Sequence, residues 1–210
     1  MDPSKFYQGA ARKVRTPWLL FGLMLAAIGL VTSLGPAEKS LGLNVRVVYL
    51  HGAWVWTALA FFLASGLVGA AALLTRRRGF FSWSTALGRT GLFFWITYLP
   101  ISLWAMQTNW NGLFLAEPRW RLAAIFAISG LLLQAGLAVL HQPVAHALGN
   151  LAYVTTLLVM LKSTGNVMHP ASPIFTSNSS SIRAYFIILL LLTLAAGWQV
   201  ARGWRRLERS

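Results

Sequence analysis

Six stretches of this chain stay apolar for about as long as a helix needs to cross a bilayer: residues 17–34, 50–74, 87–106, 122–140, 145–161 and 183–201. In hydrocarbon every backbone amide must find a partner within the protein, and a single run of this length can do so only as a helix. The chain is therefore expected to be an all-α integral membrane protein, one domain over residues 1–210, folded as a six-transmembrane-helix bundle. Composition agrees: 57% of the 210 residues are hydrophobic and 10% charged, against about a quarter charged in a soluble domain. The first stretch follows Lys5, Arg12, Lys13 and Arg15, as the apolar part of a signal peptide would. Its length favours retention as a first helix.

An even number of spans puts both termini on one side. That side carries Lys5, Arg12, Lys13, Arg15, Arg76, Arg77, Arg78, Arg89, Arg202, Arg205, Arg206 and Arg209, twelve in all. The other side carries six: Lys39, Arg46, Arg119, Arg121, Lys162 and Arg183. The excess of basic residues in short loops marks the cytoplasmic face, so the termini are expected inside a bacterial cytoplasmic (inner) membrane, which the protein crosses several times. Interspersed with apolar runs, the net charge of +14 reads as topology and contact with the lipid bilayer's anionic headgroups, not as a nucleic-acid footprint.

The connections differ in character. Residues 141–144 form a tight helical hairpin, and residues 35–49 a loop with glycine, proline and charges. Residues 107–121 (QTNWNGLFLAEPRWR) are too broken to span and too apolar for an ordinary loop. They are expected to lie along the membrane surface on the outer side. Residues 163–182 are polar and rich in serine.

Little in the chain suggests catalysis. There is no cysteine, which excludes disulfides, iron–sulfur clusters and thiolate zinc sites. No phosphate-binding loop, carboxylate pair or Ser/His/Asp set is present, and no span has Lys, Asp or Glu at its middle. Candidate chemistry rests on histidine. His51 opens the second span and His169 follows the fifth, both on the outer side, while His141 and His146 flank the hairpin turn. Two imidazoles from different helices can clamp one haem iron as axial ligands; interfacial histidines also serve merely to bond loops or headgroups. Of ten tryptophans, Trp54, Trp56, Trp104, Trp110 and Trp120 gather near this pair. They can wall a flat porphyrin or form an interfacial belt. Arg119 and Arg121 can meet propionates, or lipid headgroups. Glu117, four residues before Arg121, is expected to pair with it.

Tyr49, His51 and Trp56 form a Tyr-x-His element followed by tryptophan five residues on, and Trp110 to Arg119 aligns with a tryptophan-rich segment of the form WGxWWxWDxR. Together with the spans and His169, these resemble the cytochrome c maturation protein C family of system I cytochrome c biogenesis. The first tryptophan and the arginine of the segment match, and Glu117 replaces its acid. Leu113, Phe114 and Ala116 stand where the family has inner tryptophans, and Gly52-Ala53 where it has Val-Pro. The resemblance implies a non-enzymatic protein that binds haem b transiently at the outer leaflet. His51 and His169 would be its axial ligands, the aromatic residues Trp54, Trp56, Trp110, Phe114 and Trp120 would face the porphyrin, and Arg119 or Arg121 would meet a propionate. It also implies delivery to a periplasmic haem chaperone, beside ABC transporter subunits. A haem-free structural or permease-like subunit of the same fold is the second reading. An electron-transferring cytochrome b subunit, the third, would want histidines paired within the membrane.

Overall fold

The computed structural model describes residues 3–165, 167, 168 and 173–208. They form six helices: α1 (Pro3–Ser33), α2 (Val45–Thr75), α3 (Arg78–Trp110), α4 (Pro118–Leu140), α5 (Pro143–Ser163) and α6 (Ser180–Leu207). Five are long and apolar enough to cross a membrane: Arg15–Ser33 within α1, and α2, α4, α5 and α6. This is consistent with a multi-pass membrane protein. Helix α3, which contains the third expected span, is the exception. Its 33 residues reach about 50 Å at 1.5 Å per residue, yet its ends are polar, from Ser82 to Thr90 and from Gln107 to Asn109. The reason is shelter: α3 lies against α2, α4, α5 and α6, and buries Ser84, Thr85 and Thr90 among them. A helix covered by protein need not match lipid.

Local chemistry explains the turns. Arg76, Asn111 and His141 end α2, α3 and α4 in the left-handed region, at φ 57°, 53° and 51°. Pro143 and Pro118 open α5 and α4 in the first turn, where a missing N–H leaves nothing unsatisfied. The helices overrun the apolar stretches at most boundaries because hydropathy marks the lipid-facing length, not the hydrogen-bonded length.

Residues 107–121 do not form a surface-lying segment. The first four complete α3, the last four open α4, and residues 111–117 connect them. The Asn-Gly and Pro that break the apolar run are the stop signal of one helix and the start signal of the next. Nor does Glu117 pair with Arg121. Its Oε2 accepts from the Trp120 backbone N–H at 2.6 Å, capping α4, while Arg121 Nε donates to the Leu115 carbonyl at 3.3 Å. A cap satisfies an amide that would otherwise be orphaned at the helix start, and an exposed ion pair contributes little by comparison.

Helices α2 and α3 form the spine of the bundle. Glycines let neighbours close on it: a Cβ at Gly66 would stand 2.6 Å from Val154 of α5, and one at Gly91 2.6 Å from the Phe62 ring. Such small-residue contacts are the usual means of helix association in lipid, where dispersion replaces the hydrophobic drive. Several buried polar groups are paired across helices. Thr57 and Thr193 hydroxyls meet at 2.7 Å, and Asn150 Nδ2 donates to the Ser84 carbonyl at 3.0 Å while its Oδ1 accepts from Gln134 at 2.8 Å. Both α5 and α6 pack on α2, but not on each other. The α2 surface between them is left without a helix over it.

Candidate functional site

The α1–α2, α3–α4 and α5–α6 connections share one end of the bundle, here the distal end; the termini share the other. A cavity of about 730 Å³ opens at the distal end. One wall is the α2 face carrying His51, Val55, Leu59 and Leu63, spaced by four and hence stacked one turn above another over about 18 Å. The adjoining wall is an α3 stripe of Trp95, Tyr98, Ser102, Met106 and Asn109. Trp110 at the end of α3, Glu117 of the connection, and Arg119 and Trp120 in the first turn of α4 border it, with Leu158, Leu161 and Lys162 from α5, and Phe175 and Phe186 from the remaining side. Its charged lining gathers at the distal end, and its depth is mainly apolar, with the Tyr98 and Ser102 hydroxyl groups on the α3 side.

His51 is half-buried, and an aromatic column stands behind it. Its ring lies edge-on to Tyr98 at 5.6 Å, Tyr98 edge-on to Trp95 at 5.0 Å, and Trp95 edge-on to Phe62 at 6.0 Å. Trp95 is pinned by its Nε1, which donates to the Ala123 carbonyl at 3.0 Å. The imidazole thus rests on side chains that cannot easily repack. Trp56 meets Phe175 at 5.7 Å, and Phe175 meets Phe186 at 5.2 Å, both edge-on.

Of the residues that the resemblance assigns to haem, five share this cavity: His51, Trp56, Trp110, Arg119 and Trp120. Three do not line it. Trp54 is turned to α3, where Nε1 donates to Thr97 Oγ1 at 2.8 Å and the ring lies 4.8 Å from Phe94. Phe114 sits at the tip of the connection, edge-on to Trp110 at 5.7 Å, and Arg121 is held at the Leu115 carbonyl. His169 lies outside the described residues. The residues missed were those of α3, Tyr98, Ser102, Met106 and Asn109. Their i, i+3, i+4 spacing was visible, but not which helix it would face. In the sequence Lys162 bears on topology alone.

Glu117 Oε1, Asn109 Oδ1 and Trp120 Nε1 are buried polar atoms of lining residues without a hydrogen-bond partner among the described residues. Among the described residues no three His, Cys, Asp or Glu side chains come together. A single imidazole suits a metal whose other ligands come with it, as a porphyrin's do, better than a bare ion needing a full protein shell.

No protein-family model matches the chain, and neither a curated protein nor a solved structure matches it.

Proposed function

We propose that this is a six-span protein of the bacterial inner membrane, with cytoplasmic termini, which binds haem b transiently in the distal cavity and presents it to a periplasmic haem chaperone in cytochrome c-type biogenesis. The supporting observation is that one cavity gathers His51, Trp56, Trp110, Trp120 and Arg119 from separate parts of the chain. The residues fit the group. A cavity of about 730 Å³ is in the range of cofactor sites, roughly 300–1,000 Å³ and mainly apolar. The His51 imidazole would hold the iron, flat indoles would cover the ring, and Arg119 and Lys162 would meet the propionates. Haem so held would supply an iron able to exchange one protein ligand for another. His51 is fixed by the Tyr98–Trp95 column, whereas His169 follows the last turn of α5. On this reading His51 is the anchor, and His169 the ligand a chaperone replaces. Counting α3 as the sixth span follows from its length and its place among four apolar helices. ABC transporter subunits would be its neighbours in the membrane, and hand-over needs no catalysed bond change.

The absorption spectrum of the haem-loaded protein tests this. His51→Ala is expected to remove the low-spin Soret and α/β bands, and His169→Ala to convert them to a five-coordinate form. Unchanged bands in both variants would sink the proposal. A haem-free structural or permease-like subunit is the alternative. It is favoured by Leu113, Phe114 and Ala116 standing where inner tryptophans would face a porphyrin. Purification from haem-replete cells without any haem, in stable complex with another membrane protein, would decide for it.

A further inference from the structure

The partnerless atoms of the distal cavity ask for something haem does not offer. Glu117 is 4% exposed, and its second carboxylate oxygen is committed to the α4 cap. Asn109 Nδ2 is held by the Ala105 carbonyl at 3.0 Å, which fixes the amide so that Oδ1 is left over. Two buried acceptors of the lining are therefore left over beside an apolar cavity, one of them on an acidic side chain. A propionate brings only acceptors, and a negative charge besides. Arg119 and Lys162 border the same cavity, so the lining holds one acid and two bases. Below them the cavity follows α2 down to Leu63. Leu63 and Leu158 are 46% and 40% exposed while lining it. The cavity therefore opens sideways as well as distally, over the α2 surface left between α5 and α6.

We propose that this cavity takes a phospholipid with a primary ammonium head group, phosphatidylethanolamine, seated from the side. The ammonium's N–H donors meet Glu117 Oε1 and Asn109 Oδ1, and the phosphate meets Lys162 and Arg119. Trp120 Nε1 donates to a phosphate or ester oxygen. One acyl chain lies along Val55, Leu59 and Leu63. The acid and bases of the rim match the two charges of this zwitterion, and the apolar depth matches its chain. The inference concerns the same cavity as the haem reading but does not depend on it: the two occupants exclude each other.

Choline carries the same charge as ethanolamine but no N–H, so the two head groups isolate the acceptor pair. The full-length protein is equilibrated with vesicles holding equal amounts of phosphatidylethanolamine and phosphatidylcholine of identical chains, then extracted, and the retained lipid is counted by native mass spectrometry. Ethanolamine lipid is expected in at least about tenfold excess, the ratio one charge-assisted hydrogen bond supports. Glu117→Gln keeps an oxygen for the α4 cap and turns an N–H towards the cavity. Asn109→Leu removes the second acceptor. Each is expected to bring the ratio below about threefold, by the same arithmetic. Equal retention of the two lipids by the wild type, the result if water alone satisfies these atoms, overturns the proposal. So does an ethanolamine excess that survives in both variants. Haem added to the same sample should release the lipid. A sample that keeps its ethanolamine preference but shows no haem bands would sink the haem reading and leave this one standing.

Discussion

At the terminal end of the bundle, tryptophans and arginines close on one another; at the distal end the same residue types stand around a cavity. Trp83 and Trp198 stack at 4.9 Å, with the Arg205 guanidinium 4.1 Å above Trp83. Trp18 meets Trp204 edge-on at 5.7 Å, and Arg89 Nη1 bonds Glu208 Oε1 at 3.0 Å. These contacts tie α1, α3 and α6 together where the chain begins and ends. Distally, Trp56, Trp110, Trp120, Arg119 and Lys162 share a lining, and among the described residues Arg89–Glu208 is the one carboxylate ion pair of the molecule. Residue type therefore does not distinguish a clasp from a binding site. What does is whether the groups close on one another or stand around a shared space.

That contrast can be broken most sharply at its extremes. His51→Ala should abolish the haem spectrum and leave the unfolding midpoint in detergent where it was, because the Tyr98–Trp95 column remains packed on Phe62 without it. Trp83→Ala should do the reverse. It removes both the stack on Trp198 and the cation–π contact of Arg205, at about 2 kcal/mol of stability for a half-exposed pair, with haem binding intact. If Trp83→Ala lowered haem affinity as much as His51→Ala, the two ends would not be separate devices.

A finer contrast lies within the distal end. Arg119 lines the cavity, and Arg121, two residues on, is tied to the Leu115 carbonyl. Arg119→Ala should weaken haem binding about tenfold, the effect of one charge-assisted contact, and Arg121→Ala should leave it unchanged. Equal losses in spectrophotometric titrations would mean that general positive charge matters and not the contact.

The pair was not separable in the sequence, and the reason generalises. Hydropathy placed the helices, because lipid forces every span to satisfy its own backbone. Pro143 behind His141 marked the hairpin for the same local reason. Whether Arg119 or Arg121 faced inward depended on where α4 starts, and that rested on Glu117 capping the Trp120 amide instead of pairing with Arg121. Both choices are local, and they differ by less than local patterns resolve. The α3 wall was harder still. Tyr98 meets His51 across 47 positions of sequence, and a stripe on one helix carries no mark of the helix it will face. Trp54 failed for the converse reason: three residues from His51, it is turned to Phe94 and Thr97 of α3. Even a neighbour one turn away on the same helix can be taken up by packing against the next helix.

The smallest predicted effect comes from two acids placed one at each end. Glu38, in the α1–α2 connection, accepts from Ser40 Oγ at 2.5 Å and from the Ser40 and Leu41 amides at 2.9 and 3.1 Å. Chiefly the Ser40 hydroxyl bond holds its carboxyl below the ordinary value of 4.5. Its contribution to stability is present above that value and is lost as pH falls through the depressed one. Glu208 is the opposite case. Burial pushes it above 4.5, and Arg89 offsets this only in part. Its carboxyl favours the folded state while protonated, below the ordinary value, and that advantage is lost as pH rises through the raised one. Acidification from neutrality should therefore first relieve the terminal end, then loosen the distal loop. Glu208→Gln should flatten the first phase and change stability near neutrality by under about 1 kcal/mol, the pair being partly exposed. Glu38→Gln should flatten only the second. A Glu208→Gln protein clearly less stable than wild type at neutral pH would mean that the ion pair with Arg89 outweighs the burial of its carboxylate, and that the clasp is held by charge as well as by stacked rings.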